Sequence, residues 1–413
     1  MKISIPYSKD KIEIDIPDGN IGDIVSGDSK VLKRDEKGII EKALKDPIGS
    51  PPLSEVARGK TSVAILASDI TRPCPSYKFL PQLIEELVSG GIEPEDIQVV
   101  LGLGIHRPHT EDERKKLVGD YVFKNAKVMD SDPSKTKLIG YTSAGTPVEV
   151  FEEALNSDLL IATGNIEYHY FAGYSGGAKA LMPGICSRTS IQANHCLMLD
   201  DKAKASRVND NPVRIDIEEA GKLAGIDFIF NVILDDDKNI IGAVAGKNNE
   251  AFLEGVKRYD SIYKIEVNSP ADIVIASPGG HPKDINLYQS QKALENIKGI
   301  AKPAGTIILI AACPEGFGED TFKEWMARAK DYDAISRRLK DKFVLGGHKA
   351  VAVSKVIKDI KVYLYSEFDR AVTEDMGFLK LEDIQSYLEK EIKENSNIKI
   401  TLVPNGRFVR LKS

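Results

Sequence analysis

Leu159-Leu-Ile-Ala-Thr-Gly-Asn-Ile-Glu-Tyr-His169-Tyr-Phe-Ala-Gly-Tyr-Ser-Gly-Gly-Ala-Lys179 sets an aliphatic run directly against glycines, aromatic rings and titratable groups. Leu159–Ala162 shows no polar alternation, the pattern of a strand buried on both faces in a parallel sheet. The same arrangement recurs along the chain. Val63–Ala67 is followed by Asp69-Ile-Thr-Arg72-Pro73, Ile97–Leu101 by Gly102-Leu-Gly-Ile-His106-Arg107, and Ile273–Ala276 by Pro278-Gly-Gly-His281. A further buried run covers Ile307–Ala311. Helical periodicity covers Phe79–Val88, Glu111–Val118, Val213–Leu223, Glu250–Tyr259 and Gln291–Ile300. Strands alternating with helices predict an α/β chain of largely parallel sheets flanked by helices. In such sheets ligands bind beyond the carboxyl ends of the strands, where the polar groups here cluster.

A chain of 413 residues exceeds one core, so two domains are expected. A fresh buried strand starts after Val267-Asn-Ser-Pro-Ala271, which places the domains at 1–267 and 268–413, with an active site expected in the cleft between them. Ile3–Pro6 and Lys11–Ile16 alternate around Ser8-Lys9-Asp10 as an opening hairpin. The terminal runs Ile398–Val403 and Arg407–Leu411 can return to either domain. The net charge of -6 with dispersed lysines argues against a nucleic-acid partner. No apolar run approaches the roughly 18–20 residues of a membrane span, and the first residues lack the apolar core of a signal peptide. Four cysteines without a C-x-x-C pair point to a reducing cytoplasm.

The segment from Thr163 to His195 holds two of the six histidines, Lys179 and five glycines. Gly173-Tyr-Ser-Gly-Gly-Ala178-Lys179-Ala180 nearly matches a phosphate-binding P-loop, but Ala178 replaces the second glycine and Ala180 the Mg²⁺-binding hydroxyl. That argues against a nucleotide triphosphatase and leaves Gly176 and Gly177 to cradle a phosphate, with Lys179 as a covalent anchor for a cofactor. The plainer reading of Lys179 is an exposed helix residue. His106, His169 and His195 together would suit a zinc hydrolase, although they lack a recognised ligand register. A cofactor-carrier protein would keep Lys179 and the glycines without needing both His106 and His169. Asp69 and Arg72 read either as a helix cap with a local ion pair or as an arginine fork for a substrate carboxylate. Gln289 and Lys292 share one face of a helix opening near Tyr288. Cys313-Pro-Glu-Gly-Phe-Gly follows a strand as a lid or hinge loop, His109 reads as a helix-start or surface residue, and His281 as a cleft-lining one.

Taken together, Ser68-Asp-Ile-Thr-Arg72-Pro, Gly104-Ile-His106-Arg-Pro, the 163–195 segment, Tyr288-Gln-Ser-Gln-Lys292 and Cys313-Pro-Glu-Gly-Phe-Gly resemble the nickel-dependent lactate racemase family. His169, Lys179 and His195 keep that family's steps of ten and sixteen residues. The resemblance implies a racemase of a 2-hydroxy acid, lactate first and otherwise malate or a larger acid. It also implies a cofactor, the pyridinium-3-thioamide-5-thiocarboxylic acid mononucleotide, holding nickel in a sulfur-carbon-sulfur pincer. By that resemblance Lys179 carries the thioamide link, His195 ligates nickel, and His106 and His169 are the paired acid/bases, with His109 as rival to His106. Asp69, Arg72, Tyr288, Gln289 and Lys292 would meet the small-molecule substrate, and cofactor-biosynthesis enzymes would be partners.

Overall fold

A computed structural model describes residues 1–25, 35–406 and 408–412. The chain divides into two compact units, Met1–Asp28 with Lys264–Ser413, and Ser29–Tyr263. The second boundary falls close to the expected one. The first residues, however, belong with the C-terminal unit rather than with an N-terminal domain of 1–267. The reason is apolar: Ile3, Ile5, Ile14 and Ile16 of the opening hairpin (Lys2–Tyr7 paired with Asp10–Asp15) share a core with Ile273, Ile275, Ile308 and Ile310. A short strand Ile21–Ile24 then joins the edge of that unit's sheet beside Ile400–Val403.

In the 29–263 unit, six strands lie in the order Ile240–Gly246, Phe228–Leu234, Leu159–Asn165, Val63–Ser68, Ile97–Gly102 and Lys127–Asp130. Every pairing is parallel except that of Ile240–Gly246 with Phe228–Leu234. All seven residues of Leu159–Asn165 are buried, as a strand covered on both faces must be. From Val63–Ser68 the chain builds outward to Lys127–Asp130, then returns to place Leu159–Asn165 on the other side. The order therefore reverses between Val63–Ser68 and Leu159–Asn165, and the carboxyl ends of these two strands flank the crevice where such sheets bind ligands.

The other unit's six-stranded sheet is parallel throughout, with Ala271–Ala276 between Ala301–Ile310 and Ile400–Val403. The terminal strand Val409–Leu411 pairs separately with Ile265–Val267, so both terminal runs return to this unit. Among the described residues no helix is long and apolar enough to cross a membrane.

Candidate functional site

The strand Val63–Ser68 ends at Asp69, whose carboxylate is almost fully buried. Arg72 N–H donates to the Asp69 carbonyl at 3.1 Å, closing a turn, while the next α-helix starts only at Leu80. The helix-cap reading therefore fails. Asp69 Oδ2 meets His106 Nδ1 in a short contact, Thr71 donates to Oδ1 at 2.8 Å, and Arg72 Nε stands 3.8 Å away. Burial pushes the Asp69 carboxyl up, but the His106 hydrogen bond and the Arg72 charge outweigh it and leave the group below its ordinary value. With Asp69 ionised, His106 donates from Nδ1 and its Nε2 is the acceptor. Asp69, expected beside the substrate, is first of all the group that orients His106.

His109 is buried, not on the surface. Its Nδ1 lies 2.6 Å from Asp130 Oδ1 and its Nε2 accepts from Ile70 N–H at 3.1 Å. Both ring nitrogens of His109 are thus committed to holding the loop. Arg107 braces the same loop through Glu113, which also closes a capping box with Thr110.

His169 lies in a two-residue hairpin strand opposite Gly173. Its neighbour Tyr168 donates to Asp260 Oδ1 at 2.9 Å, and Tyr174 donates to the same oxygen at 2.8 Å. Successive side chains of a strand alternate, so anchoring Tyr168 on the Asn248–Tyr263 helix turns His169 to the opposite face. Ala172 N–H donates to His169 Nδ1 at 3.2 Å, so the neutral ring carries its proton on Nε2. Burial drives the His169 pKa well below its usual value, and the Lys179, Arg72, His195 and Arg214 charges add to it. The two histidines thus rest in opposite tautomers.

Lys179 lies in a 3-10 turn, Gly177–Ala180, and not at an α-helix N-terminus, which removes the remaining likeness to a P-loop. Gly176 and Gly177 have φ of 85° and 61°. A Cβ on Gly176 would stand 2.9 Å from Asn231 Oδ1, and one on Gly177 3.0 Å from the Phe252 ring. The Gly177 amide already donates to Asn231 at 2.8 Å. These glycines are required by close packing that places Lys179, and the Gly177 amide is not pointed at a phosphate. Lys179 keeps part of its surface accessible yet is surrounded by protein. Burial, then the Arg72 and Arg214 charges, push its amine far below its ordinary pKa despite the opposing charges of Glu167 and Asp69.

A stability consequence follows. An unfolded chain keeps this amine protonated up to about pH 10.4. Between the folded and unfolded values the unfolded chain binds the extra proton, so stability rises with pH across that window. Lys179→Met apoprotein is therefore expected to melt above the wild type at neutral pH, with the gap closing as pH rises toward about 10.4. Paired thermal scans would show this, and a variant that melts below the wild type throughout contradicts it.

His195 occupies the last turn of the helix Arg188–Cys196, capped by Ser187. Its Nδ1 lies 3.2 Å from Asn194 Oδ1, and Asn194 Nδ2 donates to Asp216 Oδ2 at 2.8 Å. With Nδ1 as donor, Nε2 is the ring's acceptor nitrogen, the arrangement that metal-binding histidines use. Phe171 packs edge-on against both His169 and His195, at 4.5 and 5.1 Å between ring centres. Among the described residues no three His, Cys, Asp or Glu side chains group as a metal centre, so His106, His169 and His195 do not form the zinc site considered from sequence.

Tyr288, Gln289 and Lys292 belong to the other unit. They sit on the helix Leu287–Ile297, capped by Asn286, with Lys292 Nζ donating to Gln289 Oε1 at 2.7 Å. The 313–318 loop is tied to the start of this helix: Leu287 and Tyr288 N–H groups donate to the Gly316 and Phe317 carbonyls at 2.9 and 3.1 Å. It therefore braces the helix. Cys313 is buried, its thiol pushed up to about 12 by burial. His281 is exposed, and burial pushes the His348 pKa down to about 3. Lys349, which sequence reading passed over, places its Nζ 3.3 Å from the centre of the Tyr288 ring.

The chain matches the lactate racemase N-terminal domain over residues 7–206 and the lactate racemase C-terminal domain over residues 267–410. It is 34% identical to a lactate racemase of Thermoanaerobacterium thermosaccharolyticum over 98% of this chain and 97% of that protein. A lactate racemase of Lactiplantibacillus plantarum is 33% identical, with 99% of both chains covered. The solved lactate racemase apoprotein from T. thermosaccharolyticum superposes with a TM-score of 0.86 at 33% identity, covering 100% of each chain. A Thermotoga maritima protein at 18% identity and a TM-score of 0.61, covering 92% and 98%, shares the fold. Matches of this extent, running through both units and every segment built above, place the chain in the lactate racemase family, among the isomerases.

Proposed function

We propose that the chain racemises a 2-hydroxy acid, lactate first, with the nickel-pincer pyridinium mononucleotide anchored on Lys179. The observation that carries this reading is a lysine whose amine pKa is pushed well down, close enough to His169 to lower that ring's pKa as well and within the field of the Asp69 that holds His106. The relatives' names supply lactate as the first substrate to test.

The residues present fit such a group. An amine held below its usual pKa is the readier nucleophile, as an amide-type link to Lys179 requires. His195 offers Nε2 as acceptor with its other nitrogen fixed by Asn194. A pincer brings three of its own donors, so one protein ligand suffices and no cluster of three side chains is needed. Gly176 and Gly177 serve the cofactor by setting the turn that presents Lys179. When bound, the group would supply a two-electron acceptor.

The chain's own part is proton handling and orientation. A Cα hydrogen beside an ionised carboxylate is too weakly acidic for direct removal as a proton. If the hydroxyl proton is taken as the Cα hydrogen leaves with its electron pair, to the two-electron acceptor the bound group would supply, Cα becomes planar as a 2-oxo acid, and return of that hydrogen to the opposite face inverts the centre. His106 takes or gives the hydroxyl proton at Nε2, with Asp69 stabilising its charged form. His169 does so from the other side. To act as a base at Nε2 it must shift its proton to Nδ1 and release the Ala172 amide. Arg72 is half-exposed and its ion-pair contact with Asp69 is loose, which suits a guanidinium that binds a substrate carboxylate. Tyr288, Gln289 and Lys292 are assigned to the substrate by the family resemblance.

His195→Ala tests the metal role. The variant is expected to lose nickel while still gaining the mass adduct on Lys179, because the link to lysine does not use the metal. Stoichiometric nickel in the purified variant would overturn the assignment.

A further inference from the structure

Arg214 is almost fully buried on the helix Pro212–Ala224 and lies in none of the segments that carry the family resemblance. Three of its guanidinium donors go to the loop between His169 and Lys179. Nε donates to the Ala172 carbonyl at 3.3 Å, Nη1 to the Gly176 carbonyl at 3.2 Å, and Nη2 makes a short contact with the Tyr174 carbonyl. Glu218 balances the charge at 2.9 Å from Nη1, and the Phe252 ring lies 4.5 Å below the guanidinium. Three carbonyls at alternate residues thus turn to one side. Gly173 and Gly176, both at positive φ, let the chain bend between them.

Both ends of this brace reach functional groups. Ala172, held through its carbonyl, gives its N–H to His169 Nδ1. Gly176 O, held by Nη1, also accepts from the Lys179 N–H at 3.3 Å, the bond that opens the lysine's turn. We propose that Arg214 is the positioning residue of the site, a single buried fork that holds the His169 ring and the Lys179 turn in one fixed relation, so that cofactor attachment to Lys179 depends on it. The dependence on cofactor rests on the reading of Lys179 given above. A lysine cannot replace the fork, because its three donors leave one atom and cannot span carbonyls four residues apart. The positive charge also adds to the burial that lowers the Lys179 amine pKa.

The test uses wild type, Arg214→Lys and Arg214→Met, each as apoprotein and after co-expression with the cofactor-making enzymes. In the apoproteins, acetylation of Lys179 by acetic anhydride is followed across pH by peptide mass spectrometry, with circular dichroism reporting the fold. Arg214→Met is expected to raise the pH midpoint of Lys179 labelling, because a neighbouring cation is gone, while Arg214→Lys leaves it near wild type. In both co-expressed variants the adduct on Lys179 is expected to fall about 10–100-fold, the usual cost of losing a group that orients a binding residue. A folded Arg214→Met with wild-type midpoint and wild-type adduct overturns the proposal. Should Arg214→Met fail to fold, full adduct in Arg214→Lys overturns it instead. If wild type itself carries no adduct on Lys179, the anchor reading fails. The labelling midpoints in apoprotein then still decide whether Arg214 governs that lysine.

Discussion

Lys179→Ala protein co-expressed with the cofactor-making enzymes is expected to show no mononucleotide-sized adduct and no racemisation above background. Burial and the nearby cations Arg72 and Arg214 push the wild-type amine well below its ordinary pKa. Lys179 sits in the turn that Gly176 and Gly177 set, so a lysine elsewhere in the chain should not substitute for it. Intact mass with peptide mapping reads the adduct, and chiral chromatography reads the activity. An active Lys179→Ala enzyme, or an adduct found on another residue, would remove the anchor from the account.

His106→Ala and His169→Ala, each loaded with cofactor, are expected to lose racemisation by about 10²–10⁴-fold, the usual worth of a positioned acid/base. A full cycle uses both groups, so neither variant should be rescued by the other histidine. Each should still form bound 2-oxo acid from one enantiomer, and the preferred hand should be opposite in the two variants. Separate single-turnover experiments with the D and L acids read this out. The same preferred hand in both would break the assignment of the pair. Normal racemisation by His106→Ala would return His109 to consideration, against its double commitment to Asp130 and Ile70.

The buried strands and the polar residues at their ends were legible because parallel strands need continuous aliphatic runs and their ends carry the ligand groups. Glu111–Val118 was readable to the residue from its helical periodicity, and the structure adds a capping box between Thr110 and Glu113. The hairpin at Lys2–Tyr7 was legible as a hairpin, but not its membership of the C-terminal unit, because alternation says which face is apolar and not what covers it. The site was legible as residue types, and the wiring between them was not. Asp69 showed as a carboxylate near Arg72, whereas its closest partner, His106, is 37 residues away. Arg214 left one signal: it falls in register with Ile217 and Gly221 on the buried stripe of its helix, where a charge needs a partner. His109 does stand at a helix start, just before the cap Thr110, but its burial was not legible because the Asp130 that holds it arrives from another strand.

Racemisation of a single lactate enantiomer by the loaded enzyme in D₂O tests the central claim most directly. If the Cα hydrogen leaves with its electron pair and returns while histidines move only the hydroxyl proton, the product of opposite hand should keep its original hydrogen at Cα. Mass spectrometry of the separated enantiomers early in the reaction should then find no deuterium there. Deuterium entering Cα in step with inversion would show direct deprotonation and contradict the account.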